Sequence, residues 1–530
     1  MKWTLLKRTL INRALTRRAL THRALIKRNL TSSGQLLVIV LPLVVLPLVL
    51  VAYAAAGGVP TDPDIAAILS NVDSNRIQNT ALTLQNFRTR QSCSDQPEPG
   101  HGVTAARDFI LAQYQSIPGL QVRLDPFVHT GCPSAPTFNV IAWLPGKHRN
   151  RLVIIGGHYD SRTTLVTDSA SDAPGGNDSG AQTAVVLELA RVFAGHAFDS
   201  TIVFMSFSGE EQGLFGSSSI AANLNRYFEE PQVVAMLNTD IPGGDQAANT
   251  PADLQYFRLY SPGIPRERLT TDPDGTTDNT SPARGVMRYI GTWGGAYVPT
   301  ITMAPKLRED RPGRASDHAS FINNAYPAVR FMETFECSPS PVDNSCGGPL
   351  PCPPPANVPA SCKDTTFVTT HQHSPNDLVQ SITPSYAARI AQVMAAVAAS
   401  LARAPASPRN FNATGDAVQG VKIKFNEPEG GRVDHFVVAA RSVNESFYRQ
   451  RVSISSGEGQ ALSPQALGLT PGDSFFVSVA AVDKQGHESL FAYPEVRCDS
   501  STCAIPPYAY DVTAPLPPPP PAKDPADEED

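Results

Sequence analysis

The sequence predicts an α/β fold, a mostly parallel mixed sheet covered by helices on both faces, followed by a small all-β sandwich. Three observations point there. Between about residues 60 and 404, short β-branched runs such as NVIAWLP, RLVIIGG, STIVFMSFS, VVAMLNTD and PAVRFMET alternate with helical stretches such as VTAARDFILAQYQSI and AQTAVVLELARVFAG. These runs are apolar throughout, as strands buried on both faces must be, so they belong in a sheet flanked by helices. From about residue 405 the pattern changes to alternating strands with turn signals, VKIKFNEP, DHFVVAARSV, RVSISS and DSFFVSVAAVDKQGHES, which reads as a sandwich.

The chain has 530 residues, 41% hydrophobic and 17% charged, enough for one large domain and a smaller one. Residues 1 to 35 form a basic segment with nine Lys and Arg in its first 33 positions and no acid. Its leucines recur every five residues, from Leu5 to Leu30. A step of about 140° round a helix makes no apolar face, so this is a solvated basic region. Without it the chain carries 34 basic and 49 acidic residues, a net charge of −15, which argues against nucleic acid as a partner.

Residues 36 to 57, LLVIVLPLVVLPLVLVAYAAAG, are uncharged. They match the roughly 20 residues that span a bilayer. Basic residues on the amino side keep that side in the cytoplasm and send the remainder across. Two readings stay open: a signal cleaved near AYAAAG, giving a secreted or periplasmic protein, or a retained membrane anchor with the rest of the chain outside the cytoplasm. The eight cysteines contain no C-x-x-C pair, so they read as disulfides formed after export, with Cys498 and Cys503 a local candidate pair. The domain boundaries expected are 60 to 404 for the α/β part, 405 to 505 for the sandwich and 506 to 530 for an extended Pro-rich acidic tail.

Within the α/β part, acidic and histidine residues gather where the apolar strands end, the edge at which such sheets carry function. His158 and Asp160 follow RLVIIGG. An aspartate there can fix the tautomer of a metal-binding histidine. Asp178 sits in the glycine-rich PGGNDSG that opens a helix, where it reads equally as an N-cap. Asn177 also begins a glycosylation sequon, as do Asn279, Asn412 and Asn444.

Glu210 and Glu211 leave STIVFMSFS side by side. Adjacent side chains point in different directions at a strand end, so one can ligate a metal while its neighbour acts as general base on the attacking water. Asp240 ends VVAMLNTD, and His371 and His373 lie in TTHQHSPNDL. The mixed nitrogen and oxygen set suits two zinc ions sharing a carboxylate.

The motifs GGHYDS, PGGNDSG, SGEEQGLFGS, LNTD and HSPNDL, in this order and approximate spacing over residues 75 to 400, resemble the dizinc aminopeptidase family, which includes bacterial leucyl aminopeptidases and glutamate carboxypeptidases. The resemblance implies an exopeptidase, an aminopeptidase first, that hydrolyses peptides with two zinc ions, and the amino-terminal segments imply that it is exported. It implies that Asp178 bridges the metals, that His158 and Asp240 hold one zinc, and that Glu211 and His373 hold the other. Glu210 would be the general base and proton shuttle, with Asp160 supporting His158. His373 rather than His371 matches the family spacing to Asp377. Gln372 departs from the tyrosine or apolar residue common there. His318, in GRASDHASF, matches a segment on the substrate side rather than a ligand.

LTPGDSFFVSVAAVDKQGHES resembles a fibronectin type III module. Three rival readings remain. A carboxypeptidase of the same family would use Lys306, Arg308, Arg311 and Arg314 to grip a terminal carboxylate. A glutaminyl cyclase would hold one zinc, and a silent binding protein would act through its sandwich.

Overall fold

The computed structural model describes residues 59–94, 100–132, 137–244, 254–263, 280–310, 314–334, 371–428, 432–455 and 458–506. The basic segment, the hydrophobic run, the tail, Asn279, Arg311 and the cysteines at 337, 346, 352 and 362 lie outside these residues.

An eight-stranded mixed sheet forms the centre, in the order β1-β2-β4-β3-β5-β8-β6-β7. Its strands are β1 (Gln121–Phe127), β2 (Thr137–Leu144), β3 (His148–His158), β4 (Ser200–Phe207), β5 (Gln232–Thr239), β6 (Tyr256–Tyr260), β7 (Thr302–Lys306) and β8 (Ala328–Glu333). β4, β3, β5 and β8 run parallel, so their carboxyl ends share one edge. β1 and β2 are antiparallel at one side, and β6 pairs antiparallel with β8 at the other.

The parallel strands are apolar because helices cover both faces. The helices Gln182–Phe193 and Pro384–Arg403 enter the larger core with Val153, Ile155, Ile202 and Leu237. On the other face Ile154, Val203 and Met236 pack with Ile220 and Phe321. Pro384–Arg403 is long and apolar enough to cross a membrane, but it is mostly buried inside the domain. Asp62 caps the helix Pro63–Ser70 ahead of a proline at its first turn, and Asp73 caps Ser74–Gln85.

Two glycines let β3 end where it does. A Cβ on Gly156 would stand 2.7 Å from the Phe207 ring, and one on Gly157 would stand 2.7 Å from the Thr239 carbonyl oxygen. The chain can therefore run between the ends of β4 and β5 and set His158 beside them.

The carboxyl-terminal region forms two antiparallel sheets. One contains β9 (Arg409–Asp416), β10 (Gly420–Asn426) and β13 (Glu458–Leu462). The other contains β11 (Val433–Ser442), β12 (Gln450–Ile454), β14 (Phe475–Asp483), β15 (Val496–Cys498) and β16 (Cys503–Ala504). They enclose a core of their own with Phe425, Phe436, Val438 and Val479. Cys498 and Cys503 are disulfide-bonded, as are Cys93 and Cys132.

This region packs firmly on the α/β part. Phe447 and Leu490 join the larger core. Glu495 is paired with Arg288, from the helix Pro282–Tyr289, and with Arg441 of β11, and it accepts from the Tyr448 hydroxyl. His487 lies between Asp483 at 2.9 Å and Asp62 at 2.8 Å.

Candidate metal centre

The edge formed by the ends of β3, β4 and β5 collects the predicted acids and histidines. His158 is the last residue of β3, Asp240 follows β5, and Glu210 and Glu211 follow β4 in a turn where Gly209 has φ +74°. Only a residue without Cβ adopts that φ readily, which fits a sharp exit from the strand. Asp178 enters from the loop before the helix Gln182–Phe193, and its peptide bond to Ser179 is cis. His373 arrives from the distant segment ahead of Asp377.

Asp178 stands between two groups. Its Oδ1 is 3.4 Å from His158 Nε2, which is itself 3.5 Å from Asp240 Oδ1. Its Oδ2 is 3.1 Å from His373 Nε2, which is 3.2 Å from Glu211 Oε2. Ligands at zinc bond lengths round a tetrahedron stand about 3.3 Å apart. Both groups have that spacing, and in each all ligand atoms lie within 4.8 Å of one another.

Asp178 Oδ1 and Asp240 Oδ1, which both face His158, are buried without a hydrogen-bond partner, as is Glu211 Oε1. Buried carboxylate oxygens are costly unless hydrogen-bonded or bound to a cation. The residues present therefore fit bound zinc. Of two further groups, one joins His158 with Glu210 and Glu211, and the other, Cys93, His129 and Cys132, has its thiols taken up in a disulfide.

The two adjacent glutamates have different neighbours, although each places an oxygen within 4.8 Å of the other's and of a His158 nitrogen. Glu210 Oε2 lies 3.8 Å from His158 Nε2, whereas Glu211 turns to His373 and to Arg162, whose Nε donates to it at 2.7 Å. Burial pushes the Glu210 carboxyl well above its usual range, and the neighbouring Glu211 and Asp240 add to this against the opposing charge of His158. Burial acts on Glu211 in the same direction, but His373 and Arg162 outweigh it and hold this carboxyl far below the usual range.

Asp160 works through the backbone. Its two oxygens accept the N–H groups of Glu210 and Glu211 at 3.3 and 3.2 Å. His158 Nδ1 lies 3.1 Å from the Asp160 carbonyl and 3.6 Å from its carboxylate, which leaves Nε2 facing the centre. Asp377 accepts the N–H groups of Asn177 and Asp178 at 2.8 and 3.0 Å, fixing the loop.

Several participants escaped the sequence reading. Arg162 follows GGHYDS directly, and nothing in the sequence says that it turns to Glu211. Arg330 hides inside the apolar run of β8 and pairs with Asp240 and Asp310. Gln372, noted only as a departure, donates through Nε2 to Asp178 Oδ2. Asp317 is fully buried, and burial pushes its carboxyl up to about 7.

His371 is in none of the metal-binding groups among the described residues. His318 is fully buried, with Nε2 2.9 Å from the Glu309 carbonyl. Asn177 is no glycosylation site in the folded chain, because its side chain is buried and donates to Glu333. Asn412 and Asn444 are exposed.

The sequence profile of peptidase family M28 matches residues 139–398. A "Probable zinc metalloprotease" of Pyrenophora tritici-repentis is 30% identical over 450 residues, covering 82% of this chain and 98% of that protein. Another protein of that description, from Pyricularia oryzae, is 34% identical over 369 residues, covering 66% of this chain and 68% of the relative. A crystal structure of the Legionella pneumophila LapA aminopeptidase aligns with a TM-score of 0.44 at 17% identity, covering 65% of this chain and 76% of that one. With nearly the whole of one such relative aligned, the chain belongs to peptidase family M28 and is a zinc-dependent peptidase.

Proposed function

We propose that the protein is a dizinc aminopeptidase acting outside the cytoplasm. The observation that carries the two-metal reading is the division of Asp178, one oxygen toward His158 and Asp240 and the other toward His373 and Glu211. In this reading His158 and Asp240 would hold one zinc and Glu211 and His373 the other, with Asp178 shared between them.

When bound, zinc supplies a Lewis acid that polarises the scissile carbonyl and lowers the pKa of water. Glu210 removes the proton from the attacking water and passes it to the leaving amine. Asp160, holding the Glu210 and Glu211 amides, keeps the two carboxylates on their separate tasks. Gln372 steadies the bridging carboxylate from the side of His373.

Peptides are the substrates. Preference for the amino end is supported by the carboxyl groups of Glu210, Asp240 and Asp317 gathered near His158, which suit a protonated α-amine. The second reading, a carboxypeptidase, rests on Arg314, which is mostly buried within reach of Arg162 and Glu211. A leucyl amide and its N-acetylated form decide between them. The aminopeptidase cleaves the free amide and loses activity on acetylation. Cleavage of acetylated peptides, with failure when the carboxyl end is amidated, reverses the assignment.

Export is supported by the two disulfides among the described residues, which suit an oxidising compartment. Sequencing the amino terminus of the mature protein distinguishes cleavage near AYAAAG from a retained membrane anchor.

A further inference from the structure

We propose that Arg90 is a positioning residue that sets the separation of His158 and Asp178, and through it the affinity for zinc, while touching neither side chain. This rests on the two-metal reading above. Arg90 lies outside the stretch matched by the M28 profile, just beyond the helix Ser74–Gln85. It is fully buried.

The guanidinium makes four hydrogen bonds, and every acceptor is a backbone carbonyl. Nε donates to Tyr159 at 2.8 Å, Nη1 to Leu84 at 3.0 Å and Pro174 at 2.7 Å, and Nη2 to Gly175 at 2.9 Å. Tyr159 stands between His158 and Asp160. Pro174 and Gly175 lead into the loop of Asp178. One planar group therefore ties the exit of β3 to the loop of the bridging carboxylate and braces both against the end of a helix.

The backbone of Arg90 repeats the link. Its N–H donates to Ser161 Oγ at 3.1 Å, its carbonyl accepts from Ser161 N–H at 3.3 Å, and Ser161 Oγ donates to Ala173 at 2.7 Å. Gly175, at φ +51°, leaves the room that this needs: a Cβ there would stand 2.7 Å from Arg90 Nη2.

Why an arginine occupies this place follows from its donors. A fork of five N–H groups in one plane can hold several carbonyls at fixed angles, which an ammonium cannot. Burying the charge is costly without compensation. Here the carbonyls solvate it, and the carboxylates of Asp377, Asp160, Asp178 and Glu211 lie within reach of its field. Burial lowers its pKa to about 10, so it stays cationic at neutral pH and favours the ionised carboxylates that metal binding requires.

The test uses the purified full-length protein and its Arg90→Lys and Arg90→Gln variants. Zinc affinity is measured by chelator competition, the absorption spectrum is taken after cobalt substitution, and activity is followed as zinc is raised. Loss of partners behind metal ligands typically weakens binding about 10- to 100-fold. Both variants are expected to lose that much zinc affinity, to show an altered cobalt spectrum, and to recover kcat in excess zinc with KM unchanged. Arg90→Lys decides the matter, because it keeps the charge and loses the fork. A folded Arg90→Lys protein with wild-type zinc affinity and cobalt spectrum overturns the proposal. Binding of fewer than two zinc ions by the wild type would instead remove the two-metal reading on which it stands.

Discussion

Arg330 Nη2 lies 2.8 Å from Asp240 Oδ2, the oxygen opposite the one that faces His158. Burial opposes ionisation of Asp240, and Arg330 and His158 together more than offset it, holding the carboxylate ionised. The same guanidinium pairs with Asp310, so one buried arginine serves two acids. Arg330→Met removes the guanidinium that both acids share, and breaking a buried pair in this way costs about 3–5 kcal/mol. Urea denaturation of the zinc-free protein should show that loss, and added zinc should restore part of it by neutralising Asp240. A variant within about 1 kcal/mol of wild type contradicts this account.

The adjacent glutamates should separate by assay. Glu210→Gln keeps the metals and loses about 10²- to 10⁴-fold in kcat, the usual contribution of a general acid–base group. Glu211→Gln weakens one metal position and removes the counter-charge of Arg162. Metal content and turnover measured on both variants check this, and near-normal turnover in Glu210→Gln rejects the assignment.

His373 and His371 should differ in the same way. His373→Ala removes a nitrogen 3.1 Å from the Asp178 carboxylate, so zinc content should fall, whereas His371→Ala should retain it. Elemental analysis showing the opposite order moves the ligand to His371.

The junction around His487 predicts a pH dependence of stability. Burial lowers its pKa, but hydrogen bonds to Asp483 and Asp62 outweigh this and raise it above 6.5. Arg403 and Arg432 pair with the same two acids. A raised folded-state pKa means that the stabilisation is fully present below about pH 6.5 and fades as pH rises through the folded value. The melting temperature of wild type should therefore fall relative to His487→Gln across that window. Parallel curves for the two proteins refute the prediction.

Much of the site was legible because its residues directly follow apolar runs. His158, Glu210, Glu211 and Asp240 each sit within a few residues of the end of a parallel strand, and such ends share an edge whatever the details of packing. The helpers were not legible, since their meaning depends on which way a side chain turns. Arg162 and Arg330 resemble ordinary cations until Glu211 and Asp240 are seen beside them. β6 and β7 were missed because YFRLY and TMAPK are short and interrupted by Arg258, Pro305 and Lys306, so neither shows a clean period. The carboxyl-terminal sheets were read from alternation, but their attachment rests on single residues, Phe447, His487 and Glu495, that no periodicity marks.

Glu495 also sets a rule for dividing the chain. Its carboxylate is the common counter-ion of Arg288 and Arg441, one from each region, and all three side chains are at least nine-tenths buried. A cut near residue 405 would take Glu495 away from Arg288 and uncover the face that the carboxyl-terminal region packs on, and the catalytic half would carry that defect however complete its metal ligands. Chimeras that exchange the carboxyl-terminal region must bring an acid to the same point. One shared charge thus couples the two regions.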